Sequence, residues 1–293
     1  MERPTFSIAP HRYISSLIID GTVPETTLPD LRAPGVEVWR DTAGMVAAVG
    51  YRHAGQRCLG VPNVGTFKFT EASVDTRLTR EASASDELVE DAFHRIVVPL
   101  ALQLRAVQVL HASAVVSADG VVALCGRSGA GKSTLAYGLS RRGLTLWADD
   151  ALAFESSHNG LQAIPLPFRM RLRAASAQWF DDLEHQKGSE LSAPWDVGVG
   201  PQSFRALFVL KRAAGTSTDD QVDIVRLAPA DAFAAVLPHA YYLALDDEQL
   251  NQRLLSSYLV LAEQLPVFVL RYAPRLTLVE DIASLIEEAV AEL

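Results

Sequence analysis

Eight consecutive residues carry the clearest chemistry in the chain: Gly126-Arg127-Ser128-Gly129-Ala130-Gly131-Lys132-Ser133. Their spacing is that of a phosphate-binding loop, GxxxxGK followed by Ser or Thr. A phosphate group must lie against successive backbone N–H groups. Side chains at Gly126, Gly129 and Gly131 would obstruct that wrap or demand strained dihedrals. Lys132 offers a mobile cation to β- and γ-phosphates, and Ser133 can set its hydroxyl on Mg²⁺. A helix starting near Lys132 turns its positive end to the same place. Arg127, Ser128, Ala130 and Thr134 complete the segment expected to surround a nucleoside triphosphate such as ATP.

A second group of residues has the chemistry to act on a bound triphosphate. Asp149 and Asp150 are adjacent at the end of an apolar segment, one expected helix after the loop. Strand ends beside a phosphate loop are where ligands bind in α/β proteins. Phosphoryl transfer needs a carboxylate for the metal or its water, and often another to accept a hydroxyl proton. Adjacent side chains on an extended strand face opposite ways. Asp150 is therefore assigned to the acceptor and Asp149 to the Mg²⁺ shell, with a solvated turn as the alternative. Arg169 and Arg171 would share one side of an extended strand, where two guanidinium groups can bind phosphate oxygens or simply face solvent. His111 on its own reads as a structural histidine rather than a catalytic one.

These residues need a scaffold. Val121–Cys125 reads as a buried strand that enters the loop, and Lys132–Arg142 as a helix ended by Gly143. Ser113–Ser117 should form a hairpin with Val121–Cys125 about Asp119-Gly120. Leu144–Ala148, Ala151–Phe154 and Leu161–Leu166 are further strand candidates, as are Phe204–Leu210, Val222–Leu227 and Pro266–Tyr272. Helices are expected at Pro229–Leu237, Glu248–Leu265 and Val279–Leu293. The polar stretch Asp182–Gly200 reads as a mobile loop or insertion beside the site that contacts an acceptor, with a disordered surface insertion of no role as the alternative.

Residues 1–82 read instead as a small β-rich domain, with strands at Ser16–Asp20, Val36–Arg40, Met45–Gly50, Arg57–Val61 and Thr66–Thr70. Residues 83–110 are expected to form a linking helix, capped within Ser83–Asp86 and kinked or divided at Pro99. Residues 111–293 then form the phosphate-loop domain.

Composition narrows the function classes. The chain has 293 residues, 49% of them hydrophobic and 21% charged, enough for a substantial core. The net charge of -9 argues against nucleic acid as a partner. The two cysteines, Cys58 and Cys125, show no metal-ligand spacing and fit a reducing compartment. With no apolar signal region and no long apolar run, a cytoplasmic protein with no membrane segment is expected. A homo-oligomer stays open.

His111-Ala-Ser-Ala-Val-Val, then Gly126–Thr134, Arg142-Gly143 and Ala148-Asp149-Asp150 together resemble the catalytic domain of HPr kinase/phosphorylase. The resemblance is specific over residues 111–154 and looser to about 270. It implies an α/β fold of the type shared with phosphoenolpyruvate carboxykinases, ATP and Mg²⁺ as cofactors, and Asp150 as the catalytic aspartate. It also implies that His111 lies near the transferred phosphate. Arg127 stands where that family carries an acidic residue. The N-terminal part is similar to HPr-kinase-related proteins of bacterial biosynthetic clusters, including kinases of lasso-peptide precursors. The expectation is an ATP-dependent kinase acting on a serine hydroxyl of a peptide or small protein. The alternatives are a small-molecule kinase, for example one acting on free serine, or a nucleotide-controlled binding module without transfer.

Overall fold

This structure, a computed structural model, describes residues 6–7, 16–40, 43–69, 75–103, 105, 107–166, 168–170, 172–180, 191–192, 200–213, 222–242 and 247–293. The chain divides into two compact units. One comprises residues 1–107 and 241–254; the other comprises residues 108–240 and 255–293. Both are built on β-sheet, and helices make the whole a mixed α/β protein.

The first unit is a seven-stranded sheet of β1 (Phe6–Ser7), β2 (Ser16–Val23), β3 (Glu37–Arg40), β4 (Val46–His53), β5 (Gln56–Val61), β6 (Gly65–Phe69) and β7 (Thr76–Glu81). Its order is β1-β2-β7-β6-β5-β4-β3, with β2 and β7 parallel. Alternation along β6 buries Phe67 and Phe69 and leaves Thr66 and Lys68 half-exposed on the other face. β7 was not expected from sequence, because Thr-Arg-Leu-Thr-Arg-Glu holds one large apolar residue. It is recruited by pairing, with Leu78 fully buried against the core.

The helix that follows differs from expectation. Ser85 caps α1 (Asp86–Ala92), its hydroxyl accepting from the Leu88 N–H at 3.2 Å. A π-helical turn, Phe93–Val97, then leads into α2 (Val98–Gln103). Pro99 explains the break: it donates no hydrogen bond and its ring crowds the carbonyl four residues back. That carbonyl belongs to Arg95, and the Tyr241 hydroxyl approaches it at 3.4 Å. Phe93 stacks on Phe67 with ring centroids 6.4 Å apart, which fixes the helix to the buried sheet face. The helix ends at Gln103, short of the expected residue 110. Gln108–Leu110 is instead a strand, β8, paired with a partner far along the chain.

The second unit is a nine-stranded mixed sheet. After β8 come β9 (Ala112–Ser117), β10 (Gly120–Gly126), helix α3 (Lys132–Arg141), β11 (Thr145–Ala148), β12 (Leu152–Ser157) and β13 (Gly160–Ile164). A short strand β14 (Arg169–Met170) precedes α4 (Ala174–Trp179) and pairs with β15 (Leu191–Ser192). β16 (Gln202–Arg212), β17 (Asp223–Arg226), α5 (Pro229–Val236), the part of α6 (Glu248–Gln264) from residue 255 on, β18 (Val267–Tyr272) and α7 (Val279–Ala291) complete it.

The main path runs β11-β9-β10-β16-β13-β12-β8, with β18 added beside β16 and β17 beside β18. β10 is buried along its whole length and lies parallel to β16, as a run of Val-Val-Ala-Leu-Cys demands. Leu135 and Leu139 of α3 pack into one core with Leu124, Phe208, Leu270 and Ile282. Gly138 allows the closest approach, since a Cβ there would lie 2.8 Å from Val279 of α7. The core therefore clamps β10 and α3 together, and the loop between them is held at both ends.

Candidate functional site

The loop between β10 and α3 takes backbone angles that its glycines permit. Gly126, Gly129 and Gly131 have φ of +155°, +78° and +100°, values that L side chains rarely adopt. A Cβ at Gly126 would also sit 3.0 Å from the Leu210 carbonyl and 3.1 Å from Ala130. From behind, the Tyr272 hydroxyl donates to the Ala130 carbonyl. Arg127 and Ser128 are exposed at the loop's tip. Gly131 is the N-cap of the ten-residue helix α3, which therefore opens toward the loop with its first N–H groups unpaired within the helix.

Lys132 lies under this loop, only 7% exposed. Its ammonium donates to the Gly126 carbonyl at 3.1 Å and meets His111 Nε2 at 3.1 Å. An ammonium has only donors, so Nε2 accepts and the His111 proton resides on Nδ1. Nδ1 in turn lies 3.0 Å from the Asp150 carbonyl and donates to it. Burial pushes the Lys132 pKa down, opposed by the charges of Asp150 and Asp149.

Asp149 follows directly on the end of β11. Its Oδ1 accepts from Ser133 Oγ at 2.8 Å and from Ser113 Oγ at 2.5 Å. Asp150 is one of three non-glycine residues with positive φ among the described residues, at +64°. Such a backbone persists only where its surroundings enforce it. Here the bond from His111 to the Asp150 carbonyl is one constraint, and the Ala151 N–H to Asp149 carbonyl bond, at 2.8 Å, is another.

Two residues at this site carried no sequence signal. His239 follows α5 and its carbonyl accepts from the His111 N–H at 2.8 Å. Its pKa is pushed down to about 4 by burial and by the charges of Lys132, His111, Arg127 and Lys211. The cations converging there make a field suited to a polyanion. A stability effect follows. Above pH 6.5, His239 is neutral in both folded and unfolded chain and contributes nothing. Between pH 6.5 and about 4 only the unfolded chain takes the proton, so stability falls as pH falls, and below about 4 the loss is complete. The melting temperature of the wild type should drop more steeply across that window than that of His239→Asn; equal slopes would contradict it.

Arg173 is the other. It precedes α4, and its guanidinium nitrogens lie 3.4 and 3.5 Å from where a Cβ of Gly129 would stand. α4 is tied to α3 by Thr134 Oγ1 and Ser176 Oγ at 3.0 Å, and Tyr137 and Phe180 meet edge to face at 4.9 Å. The sequence pointed to Arg169 and Arg171 for this part. Arg169 is in β14, and Arg171 lies outside the described residues. Most of Asp182–Gly200, the expected acceptor loop, also lies outside them.

Among the described residues, no group of three or more His, Cys, Asp or Glu side chains could hold a metal on its own. A Mg²⁺ ion would fit the site differently, through Ser133, Asp149 and oxygens of a phosphate, the all-oxygen partial shell this ion takes. No helix among the described residues is long and apolar enough to cross a membrane.

No protein-family model matches the chain, and no curated protein does. Among solved structures, it is similar to the HPr(Ser) kinase/phosphatase from Coxiella burnetii. That similarity has 14% identity and a TM-score of 0.37, covering 63% of this chain and 92% of the other.

Proposed function

We propose that the second unit is an ATP- and Mg²⁺-dependent kinase domain that transfers the γ-phosphate to a hydroxyl, with serine of a peptide or small protein as acceptor. One observation carries this reading. The Lys132 ammonium, the Ser133–Asp149 pair and Asp150 all converge where β10 turns into α3. The HPr-kinase-type resemblance of residues 111–154 supports the acceptor class and the phosphoenolpyruvate-carboxykinase-type fold.

Each group has a task in that chemistry. The loop N–H groups and the start of α3 bind the phosphates. Lys132 turns from the Gly126 carbonyl toward the β- and γ-oxygens, which restores the favourable surroundings its ammonium lacks. Bound Mg²⁺, held by Ser133 and Asp149, would neutralise charge on those oxygens. His111, its tautomer fixed by the Asp150 carbonyl, presents Nε2 and so keeps Lys132 oriented. Asp150 takes the hydroxyl proton as the acceptor oxygen bonds to the γ-phosphorus, and the bond from phosphorus to the bridging oxygen breaks to leave ADP. Fixed charges aimed at the equatorial oxygens supply most of the rate in this class of reaction.

Arg173 adds a guanidinium at the loop face. A hydrogen bond to a charged group is worth about 1.5–3 kcal/mol, so Arg173→Ala should lower kcat/KM for ATP about 10–100-fold. Arg173→Lys should recover only part of this, because the planar fork is lost. Unchanged kinetics in Arg173→Ala would remove it from the site.

The whole reading is tested by incubating the chain with γ-labelled ATP, Mg²⁺ and a library of serine-containing peptides, with free serine in parallel. Stable label on peptide serine is expected. Label on free serine alone would move the acceptor to a small molecule. Nucleotide binding without transfer to either would leave a binding module.

A further inference from the structure

The first unit holds a cavity of about 910 Å³. It is formed within that unit alone, and nothing in the kinase reading uses it. Sheet register builds its floor. Tyr51 pairs across to Cys58 and Cys58 to Lys68; Gly60 pairs to Thr66 and Thr66 to Thr79. All these residues share the face opposite to Leu59, Phe67 and Leu78, which are fully buried.

A loop of the chain between β2 and β3 covers this face. It is pinned at one end by Glu81, whose Oε2 accepts from the Thr26 N–H at 2.9 Å and the Thr26 hydroxyl at 2.7 Å. Leu28 seats on Gly60, where a Cβ would lie 2.5 Å from its Cδ2. Leu28, Pro29 and Val36 of the loop line the cavity, facing Tyr51, Thr66, Lys68 and Thr79 of the sheet.

The space is thus apolar on one side and hydroxyl-rich on the other, with Lys68, Arg52, His53 and Glu25 also in its lining, and Arg52 lies 3.5 Å from Asp247. Among the described residues Lys68 has no ion-pair partner, although Glu25 lines the same cavity. Burial pushes the Cys58 thiol up against the pull of Lys68. A cation with no ion-pair partner among the described residues, in a cleft of this size, is what a site for an anionic, partly apolar small molecule requires.

We propose that this cavity is a ligand site for an amphipathic carboxylate, whose acyl or aryl body lies under Leu28 and Val36 and whose carboxylate meets Lys68. The tyrosine and threonine hydroxyls supply the remaining hydrogen bonds to the carboxylate oxygens. The site is separate from the glycine loop, so it stands or falls independently of the kinase reading.

Decanoate is the probe. Calorimetric titration of the full chain with decanoate should show one site. Lys68→Gln, a half-exposed position that should keep its fold by circular dichroism, should weaken it about 10-fold or more, the loss of one charge-assisted hydrogen bond. Decanamide, of equal length and uncharged, should bind the wild type about as weakly as decanoate binds Lys68→Gln. Val36→Trp, which fills the space from the loop side, should abolish binding of both. Equal decanoate affinity in wild type and Lys68→Gln would overturn the proposal, and so would no binding to the wild type. Binding of a short acidic peptide with no binding of decanoate would also overturn it, in favour of a peptide groove.

Discussion

Lys132→Ala should lose phosphate transfer, by about 10²–10³-fold in kcat or more, while keeping its fold. The size follows from removing one preorganised charge at developing negative oxygens. Binding of the triphosphate should weaken as well, since the same ammonium meets the β- and γ-phosphates before and during transfer. Stability should behave differently. The folded chain buries this ammonium, and its lowered pKa means that folding disfavours its charge. Lys132→Met should therefore melt no lower than the wild type and can melt higher. Such a split, with activity lost and stability kept, is what a residue held for function gives. Wild-type transfer by either variant would end the assignment of this loop.

Asp150→Asn should leave nucleotide affinity near that of the wild type and cut transfer about 10²–10⁴-fold, the usual effect of losing a general base. Asparagine suits this position because it tolerates the left-handed backbone that Asp150 adopts at φ +64°. The Asp150 carbonyl that orients His111 is retained too. Asp149→Asn should act in the other way, weakening Mg²⁺-dependent binding, because its carboxylate is shared with Ser133. Measuring ATP affinity and single-turnover transfer for both variants separates the roles. If Asp150→Asn loses binding and transfer together, Asp150 is a metal or structural residue and the roles proposed for the pair are wrong.

Local pattern was enough to find the elements on either side of the loop. Val121–Cys125 and Lys132–Arg142 were expected; the strand is Gly120–Gly126 and the helix Lys132–Arg141. A wholly apolar run and a glycine at each end leave little choice there. Asp149 and Asp150 lie just beyond β11, and Asp150 is left-handed, so strand alternation does not apply to the pair.

What was missed depends on distant chain. β8 is a strand because Leu110 and Val109 pair with β12, more than forty residues away, whereas its own residues continue a helical pattern. β7 has one large apolar residue, Leu78, and is held by neighbours on both sides. Arg173 reaches the loop only because α4 docks on α3 through Ser176 and Phe180. Strand-like spacing singled out Arg169 and Arg171, and nothing local marked Arg173. His239 comes to His111 through a backbone hydrogen bond across the chain, and a lone histidine after Leu-Pro has no pattern that would announce it.

The most direct test is equilibrium binding of fluorescent ATP to the wild type and to Ser133→Ala, each with and without Mg²⁺. If the loop holds a metal-bound triphosphate, Mg²⁺ should tighten binding to the wild type about ten-fold or more and do little for Ser133→Ala, because the hydroxyl is one of the ion's few protein ligands. Absence of ATP binding by the wild type, or an equal Mg²⁺ effect in both proteins, would contradict it.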